Sequence, residues 1–152
     1  MKTTLFVISI ANPILIGIYK NGTLETTLEG DGKTSDILPN IIHKVLQEEE
    51  IHELIYVNGP GSYMSIKIAY IFLKTLSISL DIPFLAVSGF STNENSPIKA
   101  LGKKYFFLNK NKEIDLRFLE ENETLRNFSL PQNIDYSICV QDTLPNYQLP
   151  VV

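Results

Sequence analysis

The stretch VNGPGSY at 57–63 holds the residues of this sequence best suited to contact a ligand. Gly59 and Gly61 allow backbone torsions that other residues resist, and Ser62 stands where a hydroxyl could cap the helix that follows. The free amides at a helix N-terminus can bind an anion such as phosphate. The same residues also suit a plain strand-to-helix turn, and the spacing favours that interpretation over a ligand role.

Two phosphate-binding motifs can be compared with this turn. The dinucleotide fingerprint GxGxxG needs a small residue three places after Gly61, where the sequence has Met64. The GxxxxGK[ST] loop is absent as well, because no Lys-Ser or Lys-Thr pair follows glycines at that spacing. The turn therefore lacks the second element that each motif requires.

The other reactive side chains form no recognisable catalytic or metal-binding pattern. His43 and His52 fall in no metal-ligand spacing, and the acidic runs at 48–50 and 119–123 are typical of solvated surface. Cys139 is the only cysteine, which excludes a disulfide within the chain, and its alternating apolar neighbours predict a buried, inert thiol. We predict no catalytic residues, no metal site and no cofactor.

A basic and aromatic stretch at 99–112 allows two interpretations. It holds five of the thirteen basic residues beside Tyr105, Phe106 and Phe107. Basic residues interleaved with aromatic ones can bind RNA. A hairpin with lysines outward and aromatics inward has the same pattern, and we favour the hairpin.

The first part of the chain reads as a mixed α/β sheet. Three short strands are predicted at 5–10, 14–20 and 23–28, separated by Asn12-Pro13 and Asn21-Gly22. A helix follows, capped by Thr34 or Ser35, with Pro39 near its first turn. The remaining elements are a strand at 53–57, a helix at 63–80 and a strand at 82–87. Strand, helix, strand, helix and strand with short joints imply parallel pairing after the antiparallel meander.

The character of the sequence changes after Ser88, where turn-forming residues accumulate. We predict a first lobe at 1–96 and a reduced, β-rich second lobe at 97–152. The second lobe has a hairpin at 105–108 and 113–118, a last strand at 136–140 and an extended stretch to 152.

The predicted helix at 63–80 is apolar on two faces. Ile66 and Leu73 belong to one stripe, which also includes Ala69, Leu76 and Leu80. The second stripe consists of Met64, Ile68, Ile71, Thr75 and Ile78. One sheet face covers one stripe, so the other predicts a protein-protein interface. Spacing alone leaves open whether the interface is the Met64 to Ile78 stripe or the opposite one with Ile66 and Leu73.

Composition limits the class of protein. The net charge of -4 and the pI near 5.2 argue against a protein that coats nucleic acid or anionic lipid. Asn12-Pro13 interrupts the apolar start, so we reject a signal peptide. We expect no membrane-spanning helix and a soluble, cytoplasmic protein.

At this point a family resemblance can be stated. The segment 56–90, YVNGPGSYMSIKIAYIFLKTLSISLDIPFLAVSGF, is similar to the signature of the bacterial TsaB (YeaZ) family, Gly-Pro-Gly-Ser-Phe-Thr-Gly-x-Arg-Ile-Gly followed by an apolar helix, a strand and Val-Ser. DILPNIIHKVL resembles the family's Leu-Leu-Pro helix, and VISIANPILIGIYKNG its opening hairpin. The resemblance covers about the first ninety residues and implies the first lobe of an actin-like ATPase (ASKHA, RNase H-like) fold.

The resemblance implies a non-catalytic subunit in synthesis of N6-threonylcarbamoyladenosine (t6A) at position 37 of tRNA. Its implied partners are a TsaD-type transferase, contacted through the two helices of the first lobe, and a TsaE-type ATPase, with tRNA reached through the complex. The same apolar face would suit a homodimer. The rival reading is a small actin-like phosphotransferase that holds ATP at the GPGS turn.

The sequence departs from the family pattern at several positions. Ser9 is nearest to the place of the acidic residue that actin-like ATPases use near metal and phosphates. Met64 and Ser65 replace the family's Thr and Gly, and Lys67 replaces its Arg. The second lobe is short and aligns with the family nowhere. These departures make an independent ATPase less expected and leave the helical interface intact.

Overall fold

The computed structural model describes residues 1–148 and is built on a five-stranded mixed sheet. Its strands are β1 (Thr3–Ile8), β2 (Ile14–Lys20), β3 (Thr23–Gly30), β4 (Glu53–Val57) and β5 (Phe84–Val87). They lie in the order β3-β2-β1-β4-β5. The first three form an antiparallel meander, whereas β1, β4 and β5 run parallel. The predicted mixed sheet is therefore confirmed.

Two helices cover one face of this sheet, α1 (Thr34–Glu48) and α2 (Tyr63–Leu80). Side chains of a strand alternate between faces, so Leu5 and Val7 of β1 pack under the helices. Leu54 and Tyr56 of β4 do the same, and Leu73 of α2 contacts this layer. All five are no more than 1% exposed, so both helices are held by a continuous apolar core.

A smaller sheet covers part of the opposite face. It consists of β6 (Ile98–Lys99), β7 (Lys104–Leu108) and β8 (Ile114–Phe118), paired antiparallel in that order. Phe6 and Ile55 point to this side and share a hydrophobic cluster with Ile98 and Phe106. The division of the chain into lobes at 1–96 and 97–152 stays a prediction. Residues 149–152, which end the predicted extended stretch, lie outside the described residues.

The strand predicted at 136–140 is wrong. Residues Tyr136–Ile138 form a single 3-10 turn. The carboxylate of Asp135 accepts hydrogen bonds from the backbone N–H of Ser137 at 3.0 Å and from its hydroxyl at 2.6 Å, and this local bonding bends the chain. Within 136–140, only Val140 pairs with the main sheet, as an isolated bridge to Ala86 of β5.

The helix starts also differ from prediction. Lys33 is the N-cap residue of α1 and makes no side-chain capping bond, so neither Thr34 nor Ser35 caps the helix. Pro39 lies inside α1, beyond the first turn. Ser62 is the N-cap residue of α2 as predicted, but its hydroxyl makes no capping bond either.

The expectation that no segment reaches membrane-spanning length was also wrong. With its 18 residues, α2 is long and apolar enough to span a membrane, judged by length and composition alone. Its two ends, however, join β4 and β5, adjacent parallel strands of one sheet. The α2 residues Ile66, Ala69 and Leu73 are fully buried against the sheet. This helix is therefore packed on its own sheet.

Candidate functional site

The glycine turn lies at the carboxyl ends of the three parallel strands. It follows β4 directly, and Gly59 accepts a hydrogen bond from the N–H of Gly89, just after β5, at 2.9 Å. In open α/β sheets, ligands bind in the crevice outside this edge. The fold therefore puts Gly59 and Gly61 where a ligand site is expected.

The space beside both glycines is filled by the chain itself. A Cβ atom on Gly59 would lie 2.3 Å from the backbone oxygen of Asn146, and one on Gly61 would lie 2.7 Å from the Cβ atom of Ile10. Gly59 also has a φ of +119°, which other residues rarely adopt. The glycines thus allow two other stretches of chain to approach the turn closely.

The approaching stretch at Gly59 is the segment 142–148, which crosses the edge of the sheet. The N–H of Asn146 donates to the oxygen of Asn58 at 2.8 Å, and the side-chain amide of Asn58 donates to the oxygen of Leu144 at 3.3 Å. The hydroxyl of Tyr56 donates to the oxygen of Thr143, which is buried. These bonds fix the segment over the glycine turn.

An aromatic pair completes the contact of this segment. The rings of Tyr63, the first residue of α2, and Tyr147 lie with their centroids 4.3 Å apart. Burial raises the pKa of Tyr147, with a smaller effect from Tyr63. The sequence analysis missed this contact, because partners more than 80 positions apart leave no local pattern.

The serines near this edge make few contacts. Ser62 is exposed, and its role in anion binding stays a prediction. Ser9, which follows β1, is 2% exposed, and its hydroxyl has no partner among the described residues. The structure therefore joins Gly59 to the segment 142–148 and Gly61 to Ile10, and it leaves Ser62 exposed.

The second candidate site is the outer face of α2. Ile66 and Leu73 are fully buried against the sheet, so the alternative interface that included them is wrong. The opposite stripe faces outward, with Met64 at 58%, Ile71 at 53% and Ile78 at 70% exposure. The sheet thus decides which of the two predicted stripes is accessible.

The outward stripe forms a shallow apolar groove of about 400 Å³. Thr75 contributes little polarity, because its hydroxyl donates to the backbone oxygen of Ile71 at 2.7 Å. Contiguous exposed apolar surface is typical of interaction sites, and the interface role of this stripe stays a prediction. The groove is lined by Ile68, Ile71, Phe72, Thr75, Leu76 and Ser79.

The basic stretch at 99–112 folds as the predicted hairpin. Its lysines are exposed, whereas Phe106 is fully buried in the core. Phe107 is 7% exposed and lies under the guanidinium of Arg117, 3.5 Å from the ring centroid. The rings of Phe106 and Phe107 are therefore used in packing, whereas Tyr105 is half-buried.

A cavity of about 630 Å³ lies between the β2–β3 meander and the stretch 125–130. Its walls are mostly apolar and include Leu15, Leu24 and Phe128, with Lys99 and Arg126 in the lining. The sequence analysis did not identify it. Across residues 1–148, no group of three His, Cys, Asp or Glu side chains is arranged to hold a metal ion.

Comparison with solved structures defines the fold class. YeaZ from Pseudomonas aeruginosa superposes with a TM-score of 0.62 at 16% sequence identity, covering 85% of this chain and 65% of that one. A second structure, described as an uncharacterized protein with similarity to peptidase YEAZ from Pseudomonas aeruginosa, gives 0.60 at 16% identity with the same coverage. The protein has an α/β, ASKHA-like fold, as the resemblance implied.

Sequence comparison finds relatives for about half of the chain. The family model for TsaD, tRNA N6-adenosine threonylcarbamoyltransferase, matches residues 33–98. The chain is 42% identical over 79 residues to the tRNA threonylcarbamoyladenosine biosynthesis protein TsaB of Buchnera aphidicola, and 36% identical over 56 residues to TsaB of Bacillus subtilis. These stretches cover 48% and 34% of this chain, and only 36% and 24% of the relatives. Together these matches support assignment of the chain to the TsaB (YeaZ) family.

The actin-like fold class implies a nucleotide with a metal ion at the carboxyl edge of the sheet, and the residues here do not fit that group. Ser9 stands near the place of the expected acidic residue. Ile10 and the backbone of Asn146 lie within 3 Å of where Cβ atoms on Gly61 and Gly59 would be. A phosphate cannot share that space. This counts against the phosphotransferase reading of the GPGS turn.

Proposed function

We propose that this protein is a TsaB-type subunit in the synthesis of t6A in tRNA, and that it binds and activates a TsaD-type transferase without performing catalysis. Both curated relatives carry TsaB in their names and the biosynthesis of threonylcarbamoyladenosine as their process. A TsaE-type ATPase and tRNA are then partners through the complex.

The observation that carries this proposal is the exposed apolar stripe of α2. Among the described residues, nothing packs over Met64, Ile71 or Ile78, each more than half exposed. Burying one aliphatic side chain contributes about 1.5–3 kcal/mol, so three such residues favour a covered state. A partner helix laid along the groove would cover Ile71, and one that continued along this face of α2 would also cover Met64 and Ile78.

The matched family model supports the identity of the partner. The TsaD model aligns with residues 33–98, a range that includes α1, β4, α2 and β5. A TsaD-type protein therefore has counterparts of the same two helices. Two related lobes that present like helices can pair face to face, as in an isologous interface.

The filled glycine turn supports a non-catalytic role. A phosphotransferase needs room for phosphate at the crevice, and that room holds Ile10 and Asn146. The histidines offer no alternative: His43 is exposed on α1, and the Nδ1 atom of His52 accepts the backbone N–H of Thr3 at 2.9 Å. The catalytic groups of the reaction then belong to the partner.

Co-purification with the TsaD-type protein of the same organism tests the proposal. We expect a complex with the unaltered chain and its loss with Ile71→Glu and with Ile78→Glu, because each change puts a charge in the apolar stripe. Leu101→Glu is the matched control, since Leu101 is an aliphatic residue of similar exposure, at 72%, away from the helix.

The result separates the alternatives. A complex that survives both helix variants would place the interface elsewhere. If the unaltered chain forms only a homodimer that the same variants dissolve, the face serves self-association and the transferase proposal fails. Circular dichroism of each variant establishes that it is folded before the binding result is read.

A further inference from the structure

The crevice at the carboxyl edge of the parallel strands is occupied, and its occupant is part of the same chain. We propose that the segment 142–148 is the resident ligand of this crevice, so the chain holds one of its own segments where nucleotide-binding members of the fold class hold a ligand. This inference is independent of any partner that covers α2.

The steric fit of the segment is the first argument. A Cβ atom on residue 59 would lie only 2.3 Å from the backbone oxygen of Asn146. Only glycine permits that approach, because any other residue would place its Cβ atom against the segment. At the neighbouring Gly61, a Cβ atom would lie 2.7 Å from the Cβ atom of Ile10, so this side of the turn is also packed by the chain.

The polar contacts of the segment are the second argument. The backbone oxygen of Asn58 accepts a hydrogen bond from the N–H of Asn146 at 2.8 Å. The side-chain amide of Asn58 donates to the backbone oxygen of Leu144 at 3.3 Å. Tyr56 adds its hydroxyl bond to Thr143. The groups at the end of β4 that could contact a ligand are thus already paired with the segment.

The aromatic contact is the third argument. Tyr147 lies on Tyr63 at the first turn of α2, the end where helix amides would face an anion. Its ring packs on the Tyr63 side of this end of the helix. A charged ligand would have to displace both the ring and the hydrogen bonds, and this predicts that the crevice excludes nucleotides while the segment is seated.

Amide hydrogen exchange of the full chain tests the occupancy. We expect the N–H of Asn146 to be protected in the unaltered protein, and Tyr147→Ala to raise its exchange rate about tenfold, because a stacked aromatic pair and its burial contribute on that scale. Asn58→Ala is a second variant that removes the contact to Leu144 without touching the ring. Tyr136→Phe is the matched control, since its hydroxyl bonds Glu53 at the other end of β4.

Titration with magnesium and ATP completes the test in the same samples. We expect the amide signals of Gly59 and Gly61 to stay unmoved in the unaltered chain at millimolar nucleotide. Saturable shifts of those two signals would overturn the proposal. It would also be overturned by an Asn146 amide that exchanges as fast as in a free peptide, or by equal exchange in the unaltered protein and in both crevice variants.

Discussion

Replacement of Gly59 by alanine tests how closely the chain is packed at the crevice. The new Cβ atom would lie 2.3 Å from the backbone oxygen of Asn146 and 3.1 Å from the Cδ1 atom of Ile66, so the segment 142–148 must move. The φ of +119° adds backbone strain. We therefore expect a loss of stability with two separate causes.

The two causes can be given magnitudes. Backbone strain at a positive φ costs about 1–2 kcal/mol for a residue with a Cβ atom. Moving the segment loses the Asn146 to Asn58 hydrogen bond, about 0.5–1.5 kcal/mol, and the Tyr63 to Tyr147 contact, about as much again. The total is about 2–5 kcal/mol, of which about 1–3 kcal/mol comes from the segment.

Gly22→Ala is the control that isolates the second cause. Gly22 also has a positive φ, +84°, but a Cβ atom there would meet nothing within 4 Å. Both variants are compared by thermal unfolding, where about 1 kcal/mol lowers the Tm of a chain of this size by about 2–4 °C. We expect Gly59→Ala to unfold about 2–12 °C below Gly22→Ala. Equal unfolding temperatures would refute the packing argument.

Two further predictions concern the core and the tyrosines. Leu73→Ala should lower the free energy of unfolding by about 2–5 kcal/mol, because Leu73 is fully buried. Ile71→Ala, at a half-exposed position of the same helix, should change it by less than about 0.5 kcal/mol. Urea unfolding measures both changes. Burial raises the pKa of Tyr19 and of Tyr56 well above the ordinary value of 10. The neutral tyrosines therefore contribute fully to the stability of the fold below pH 10, and this contribution is lost as the pH rises above 10. Urea unfolding at pH 8 and pH 11 measures the loss of stability. In an absorbance titration of the seven tyrosines, we expect Tyr19 and Tyr56 to ionise last.

Local patterns predicted the main sheet and its helices well. β2, β4 and α2 have the bounds that the sequence predicted, because alternation and helical periodicity are both properties of neighbouring residues. The strand predicted at 136–140 was wrong for a related reason. Its alternating residues favour a strand, but the carboxylate of Asp135 bonds Ser137 and turns the chain.

The site was only partly predictable. The sequence showed two apolar stripes on α2 but could not choose between them, since the choice depends on which side the sheet takes. It also read the glycine turn as structural without finding what fills it. Asn146 reaches Gly59 from 87 positions away, and no periodicity or motif encodes a contact at that distance.

Cys139 illustrates the same limit on a smaller scale. It was predicted to be buried and is in fact half-buried, in the bend after the 3-10 turn. Burial still raises the pKa of its thiol, with smaller effects from Glu53 and Asp135, so the thiolate is scarce at neutral pH. The expected low reactivity therefore follows from the partial burial that remains.

Residues that cover the second face of the main sheet come after its strands in the sequence, and this order has a consequence for biosynthesis. All five strands of the main sheet have been made once residue 87 leaves the ribosome, yet Phe106, Phe128 and Tyr147, which pack on its second face, follow only over about the next 60 residues. At about 5–20 residues per second, that face stays bare for about 3–12 s on each nascent chain. Exposed hydrophobic surface of this kind makes a chain prone to aggregation until the surface is covered.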